Sequence, residues 1–207
     1  MFIESGEILA ERRAESLGTS RADPQNTRMR RTTTMITFAA ALQLLIALAF
    51  LSIPLVRHRY GGSAKTNAEA ELTRQGVPIS VLKENKLSFD ASGHETVVPA
   101  TVALVMTVLA VLNLSGSDWG QVLSWVFQPV VLVGNFLILY SNLTAAKSVK
   151  AAFDRKGDPM LQRIDVRALL KAAEDGFPTW VMPVLQNIRH AVVMGGSVLV
   201  LAAMIIA

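Results

Sequence analysis

The chain has 207 residues, of which 51% are apolar and 17% are charged, and its formal net charge is +4. An ordinary soluble domain has roughly 25% charged residues, so this composition indicates a protein that contacts lipid. The absence of cysteine from the sequence excludes a disulfide-stapled secreted domain, thiolate chemistry, iron–sulfur clusters and cysteine-based zinc sites.

Residues 1–33 are predicted to form a polar, ion-rich tail. Its first half has the pattern of a weakly amphipathic helix, and residues 19–27, which include Pro24, are predicted to be a linker. Basic residues at this position anchor a span to lipid head groups and favour a cytoplasmic location for the flank. The tail ends in three such residues, predicted as interface anchors: Arg28, Arg30 and Arg31.

The first predicted span covers residues 34–56, and residues 35–56 contain no charged side chain. About 22 residues at roughly 1.5 Å each suffice to cross a hydrocarbon core of ~30 Å. The run is longer than the apolar core of a signal peptide, so we expect the span to be retained. Three predicted interface anchors follow it: Arg57, Arg59 and Tyr60.

Residues 57–96 are predicted to form an extramembrane helical loop. Thr66 and Glu69 match a capping box, Gly76 offers a helix stop, and Pro78 can open a second short helix. A DNA-binding helix-turn-helix has the same outline, but a third helix is missing and both ends are tethered to the membrane. A helical hairpin packed on the head groups is therefore favoured, and nucleic acid is not an expected partner.

The second and third spans are predicted at residues 97–114 and 122–143, with Pro99 in the first turn of span two, where proline is tolerated. The short connection makes them an antiparallel hairpin. Aromatic residues favour the membrane interface. The following residues are predicted as further anchors at the two interfaces: Trp119, Trp125, Tyr140 and Trp180.

Residues 144–189 are predicted to form an amphipathic helical loop that begins as an extension of span three, and Asp158 or Asp165 can cap a short helix within it. The fourth span is predicted at residues 190–207. Arg189 lies at its edge, where its guanidinium is expected to snorkel to the head groups.

Four spans place both chain ends on one side of the membrane. The arginines before span one favour a cytoplasmic amino terminus in an inner membrane. The 14 basic residues of the two loops, against 6 in the tail, favour the opposite orientation. We prefer the orientation indicated by the arginines before span one, because the first span usually dominates topology.

The spans contain no Asp, Glu, Lys or Arg, although coupled transport normally needs an ionisable group at membrane depth. A buried amide without a hydrogen-bond partner costs roughly a few kcal/mol. The amides within the spans therefore have three possible roles: hydrogen bonds between helices, docking onto another membrane subunit, or the lining of a solute path. The intramembrane amides are Gln43, Asn113, Gln128 and Asn135.

Two further features of the spans concern helix shape and close packing. Pro129 predicts a kink in span three, which can shape a binding site. Ala191, Gly195 and Gly196 give span four a small-residue face that another helix can approach closely.

No pattern in the sequence points to catalysis. The three histidines lack ligand-like spacing, and metalloprotease, nucleotide-binding and hydrolase motifs are absent from the sequence. We therefore expect no enzymatic activity, no cofactor and no metal.

The segments VLNLSGSDWG, SWVFQPVVLVGNFLILYSNLTAAKSV, AFDRKGDPMLQRIDV and AAEDGFPTW resemble those of small four-span membrane proteins of actinobacteria. The resemblance covers roughly residues 34–207. It implies an inner-membrane location in a lipid-rich envelope, and it extends to accessory subunits of Mce-type lipid importers.

We therefore expect an all-α polytopic integral membrane protein with four transmembrane helices and two helical extramembrane loops. Its expected function is that of a non-catalytic accessory or assembly subunit of a larger inner-membrane complex, an envelope lipid-transport machine by the resemblance. Its expected partners are the lipid bilayer and other integral membrane subunits. The alternatives are a small oligomeric transporter or channel that uses span three, and a membrane-tethered regulator.

Overall fold

The computed structural model describes residues 24–91 and 94–206, and the regular structure within these ranges is entirely helical. A π-helical segment, Val181–Gln186, precedes the last helix. In chain order the α-helices of these ranges are α1 (Pro24–Arg74), α2 (Ser80–Glu84), α3 (His94–Leu114), α4 (Asp118–Lys156), α5 (Pro159–Gln162), α6 (Val166–Glu174) and α7 (Asn187–Ile206).

Four helices of the described ranges are long and apolar enough to cross a membrane, which makes the chain a multi-pass membrane protein of all-α fold, as predicted. The most apolar windows of these helices have mean hydropathies between 1.8 and 2.3. The four helices are Met29–Arg74, Thr96–Leu114, Asp118–Lys156 and Val181–Ile206.

Helix α1 is much longer than the span predicted within it. It begins at Pro24, inside the predicted linker, and continues 18 residues past Val56. The expected capping box is not used: the Thr66 hydroxyl donates to the Gly62 carbonyl oxygen at 3.1 Å, as it does inside a helix. The helix ends just before Gly76, which has a φ of +70°. The amphipathic helix predicted in the first half of the tail lies outside the described residues.

The four long helices pack as a ring. Helix α1 packs against α3 and α7, and α4 closes the ring by packing against the same two helices. The apolar core between them contains Ile46, Phe50, Met106, Leu109 and Val193.

The two predicted loops form one extramembrane domain with the ends of α1 and α4. Both predicted caps are used, because the Asp158 carboxylate accepts from the Met160 N–H and the Asp165 carboxylate accepts from the Ala168 N–H. The domain's core is aliphatic and aromatic. Its buried members are Ala68, Leu72, Val77, Val81, Leu82, Phe153, Leu161, Ile164, Val166, Leu169 and Ala173.

The helix that carries span four begins before the predicted boundary. The apolar helix covers Val181–Ile206, and its first six residues form the π-helical segment. Pro183 lies inside this segment, where the wider turn accommodates a residue that has no N–H. The Asn187 side chain donates to the Pro183 carbonyl oxygen at 2.8 Å.

Candidate functional site

The intramembrane amides form two groups, and the first group joins three helices. The Gln43 Nε2 donates to the Ser124 Oγ at 2.8 Å. The Asn113 Nδ2 donates to the Gln43 Oε1 at 2.9 Å and to the Ser124 Oγ at 3.0 Å. All three side chains are buried. We call Gln43, Asn113 and Ser124 the three-helix cluster, since they tie α1, α3 and α4 together.

A glycine allows the three-helix cluster to form. The Ser124 hydroxyl donates to the Gly120 carbonyl oxygen at 2.6 Å. A Cβ at Gly120 would lie 2.7 Å from the backbone nitrogen of Asn113 and 2.8 Å from the carbonyl carbon of Leu112. Since backbone atoms cannot move aside cheaply, α3 and α4 approach this closely only with glycine at position 120.

The second group joins α4 to α7. The Gln128 Nε2 donates to the Ser197 Oγ at 2.9 Å, and the Asn135 Oδ1 lies 3.2 Å from the His190 Nδ1. These two contacts set an antiparallel register between the helices. Buried atoms of this group that have no hydrogen-bond partner among the described residues are the Gln128 Oε1, the Asn135 Nδ2 and the His190 Nε2.

Pro129 lies within α4, which stays helical on both sides of it.

The two adjacent glycines of span four differ in their surroundings. A Cβ on Gly196 would lie 3.3 Å from two side-chain carbons of Ile46, so this glycine packs against α1. A Cβ on Gly195 would meet nothing within 4 Å. Ala191, one turn earlier, is exposed like Gly195. The small-residue face of α7 is therefore divided between an inner and an outer side.

The predicted interface anchors lie mostly on the outside. The Arg59 guanidinium carbon lies 5.6 Å from the ring centroid of Tyr60, and the Arg57 Nη2 donates to the Ser88 carbonyl oxygen at 3.0 Å. The side chain of Arg28 lies outside the described residues. Exposed anchors are Arg30, Arg31, Arg59, Trp119, Trp125, Tyr140 and Trp180, whereas Arg57, Tyr60 and Arg189 are half-buried.

A cavity of about 640 Å³ lies where the four spans meet the extramembrane domain. Its walls come from the end of span one, the start of span two, the end of span three and the approach to span four, with α6 and Phe89 on the domain side. Most of the lining is apolar. Its polar residues are Arg57, Asn142, Glu174, Gln186 and Arg189. We call this space the interfacial cavity.

A hydrogen-bonded group outside the spans joins α1 to α6. The Gln75 Oε1 accepts from the Asp165 N–H at 2.8 Å, and the Gln75 Nε2 donates to the Glu71 Oε1 at 2.7 Å. The Arg74 guanidinium donates to both oxygens of Glu71. Hydrogen bonds from Arg74 and Gln75 lower the pKa of Glu71 to about 2.

Sequence reasoning missed the serine and histidine partners of the amides. Ser124 was within reach of prediction, because a tight hairpin of spans two and three places it beside Asn113. Ser197 and His190 pair with α4 across a long connection, so no short-range pattern identifies them. The interfacial cavity was missed for the same reason, since its walls come from distant segments.

Within residues 24–91 and 94–206, no group of three or more His, Cys, Asp or Glu side chains could hold a metal ion. Comparison with known proteins adds no relative: no family model, no curated protein and no solved structure matches the chain significantly.

Proposed function

We propose that the protein is a non-catalytic accessory subunit that assembles, within the bilayer, with another integral membrane subunit. The observation that carries the proposal is the outer side of α7. Gly195 faces open space there, and the exposed Ala191 lies one turn away. Small residues at this spacing let a second helix approach the backbone closely, which is how helices associate in lipid.

Helix α4, which packs against α7, also leaves much of its apolar surface uncovered by the rest of the chain. Only 22% of its most apolar window is buried inside the chain, against 33% to 39% for the other three spans. Its exposed side chains include Phe136 and Tyr140. Aromatic side chains of this kind are common at the centre of protein interfaces.

The intramembrane amides support a packing role. Gln43 and Asn113 bond to side chains on other helices of the same chain, and Gln128 bonds to Ser197. These groups therefore stabilise the bundle itself, and the partner is recognised through shape.

The finer location is also a proposal: an inner membrane, with both chain ends in the cytoplasm and an envelope lipid-transport machine as the larger complex. The exposed Arg30 and Arg31 before span one support this orientation. Because the chain has no cysteine, single cysteines at Ser63 and Ser148 report the side of the extramembrane domain without background labelling. Labelling from the cytoplasmic side would contradict the proposed orientation.

Purification in mild detergent, followed by mass spectrometry, tests the assembly. We expect a stoichiometric membrane partner with the native chain and its loss with Gly195→Leu, because a bulky side chain blocks the close approach. Gly62→Leu is the matched control, since a Cβ at Gly62 also meets nothing within 4 Å but lies outside the spans. A monodisperse monomer from native membranes, or a partner that survives Gly195→Leu, would overturn the proposal.

A second candidate function is a small solute transporter or channel that works as an oligomer. It is favoured by the second amide group, where Gln128, Asn135 and His190 each keep one buried polar atom without a partner among the described residues. Such atoms can bind water or a polar solute. Proteoliposome flux that Gln128→Leu and Asn135→Leu leave unchanged would exclude this function.

A further inference from the structure

We propose that the interfacial cavity binds an anionic phospholipid, with an acyl chain along its apolar walls and the phosphate near Arg57 and Arg189. This inference goes beyond the assembly role, since it concerns a ligand of the single chain.

The size and lining of the cavity fit an amphiphile. At about 640 Å³ it is within the range of small-molecule sites, which are mostly apolar with a few polar groups that orient the ligand. The apolar part includes Ile53, Val98 and Ile138 from three spans and Phe177 from the segment before span four. A soluble metabolite would leave most of these walls without an apolar partner.

The position of the cavity points to a lipid as the source of this amphiphile. Arg57 directly follows the charge-free run of span one, and Arg189 precedes the apolar run 191–207. Val98 and Pro99 are in the first turns of α3. The cavity therefore lies at the depth of the head groups, where the spans end, with α6 covering it from the domain side.

The charges of the lining favour an anionic head group. The side chain of Arg189 is half-buried and makes no hydrogen bond or ion pair with another described residue. Arg57 adds a second guanidinium, which also donates to the Ser88 carbonyl oxygen. Guanidinium groups bind phosphate oxygens through strong, charge-assisted hydrogen bonds. Glu174 is the acidic residue of the lining, and it is exposed. Among the described lining residues the charges are therefore two guanidiniums and one exposed carboxylate, and Arg189 is the cation that remains to bind the phosphate.

Native mass spectrometry of the full chain tests the proposal. The purified protein is exchanged into mixed micelles that contain equal amounts of phosphatidylglycerol and phosphatidylcholine. We expect one retained phosphatidylglycerol per chain, with about tenfold preference over phosphatidylcholine, which corresponds to one charge-assisted contact. Excess inorganic phosphate should leave the bound lipid in place, because the acyl chain contributes to binding.

Four variants distinguish the effect of the charge from an effect on folding. Arg189→Gln should lower phosphatidylglycerol occupancy about tenfold, and Arg189→Lys should retain part of it. Arg59→Gln is the matched control, since Arg59 is exposed and does not line the cavity. Ala145→Phe narrows the apolar part and should reduce binding of both lipids, which keeps the test decisive if Arg189→Gln misfolds.

Four outcomes would overturn the proposal. These are equal retention of the two lipids, displacement by inorganic phosphate, equal loss in Arg59→Gln and Arg189→Gln, and unchanged binding in folded Ala145→Phe.

Discussion

The bundle and the extramembrane domain are built in opposite ways. The bundle buries Gln43, Asn113 and Gln128 and exposes large apolar side chains such as Leu48, which is 63% exposed. The domain buries an aliphatic and aromatic core and carries ion pairs on its surface, such as the one between Lys150 and Asp154. Lipid supplies no hydrophobic driving force between helices, so close approach and hydrogen bonds specify the bundle. Water supplies that force, so apolar burial specifies the domain.

Helices α1 and α4 belong to both the bundle and the domain. The surroundings therefore change from lipid to water along one continuous helix. Helix α1 contributes Gln43 and Ile46 to the bundle and Leu72 to the domain core. The domain also contacts α1 through Gly176, where a Cβ would lie 2.4 Å from the backbone nitrogen of Ala64. The two regions are therefore mechanically joined while their stabilising forces differ, and substitutions can affect them separately.

Removal of a domain core side chain should have the largest effect. Leu169 is fully buried, so Leu169→Ala is expected to destabilise the domain by about 3 kcal/mol through lost burial and a cavity. Hydrogen exchange measured by mass spectrometry should show faster exchange in 159–174 and no change in 103–113. Met160→Ala, at an exposed position, is the control. Equal loosening of both regions would contradict their separate construction.

The matching substitution in the bundle concerns the close approach of α3 and α4. Gly120→Ala should destabilise the bundle by about 2 kcal/mol, because the added carbon overlaps backbone atoms of Leu112 and Asn113. Exchange should rise in these two helices while the domain keeps its protection. Gly134→Ala is the matched control in the same helix, since a Cβ there meets nothing within 4 Å. A Gly120→Ala protein as stable as Gly134→Ala would show that the contact is unimportant.

The hydrogen bonds of the bundle should contribute less than its close packing. Gln43→Leu removes the bonds to Ser124 and Asn113 and is expected to cost about 1 kcal/mol. Gln128→Leu removes one bond, to Ser197, and should cost less. Unfolding in detergent, followed by circular dichroism, gives the comparison. A larger loss from Gln128→Leu would contradict the expectation that the three-helix cluster contributes more to bundle stability than the bond between Gln128 and Ser197.

The sequence was sufficient for the spans because a charge-free run of about 20 residues has few other interpretations. It was insufficient for helix boundaries outside the membrane. Thr66 and Glu69 have the spacing of a capping box, but Thr66 bonds inside a longer helix because Ala64, Ala68 and Leu72 are buried along that same helix. Tertiary burial therefore outweighed a local signal.

The candidate site also has one part that could be predicted from the sequence and one part that could not. The sequence identified the amides as hydrogen-bonding residues, because lipid penalises an unpaired amide. It did not identify the cavity, whose lining residues Arg57 and Arg189 are more than 130 residues apart in the sequence and line one space only because the spans pack as a ring.

The smallest expected effect concerns the charge network at the surface of the domain. The pKa of Glu71 is lowered from 4.5 to about 2 by the hydrogen bonds from Arg74 and Gln75. A lowered pKa means that the charged form stabilises the folded state above the ordinary value of 4.5, and that this contribution is lost as the pH falls toward 2. Glu71→Gln removes it at every pH, so the difference in melting temperature between the native chain and Glu71→Gln should shrink as the pH falls from about 6 to about 3. Arg74→Gln removes the largest cause of the shift and should weaken the same pH dependence. Parallel melting curves across this range for all three proteins would show that the network does not couple to folding, leaving apolar burial as the force that holds the domain.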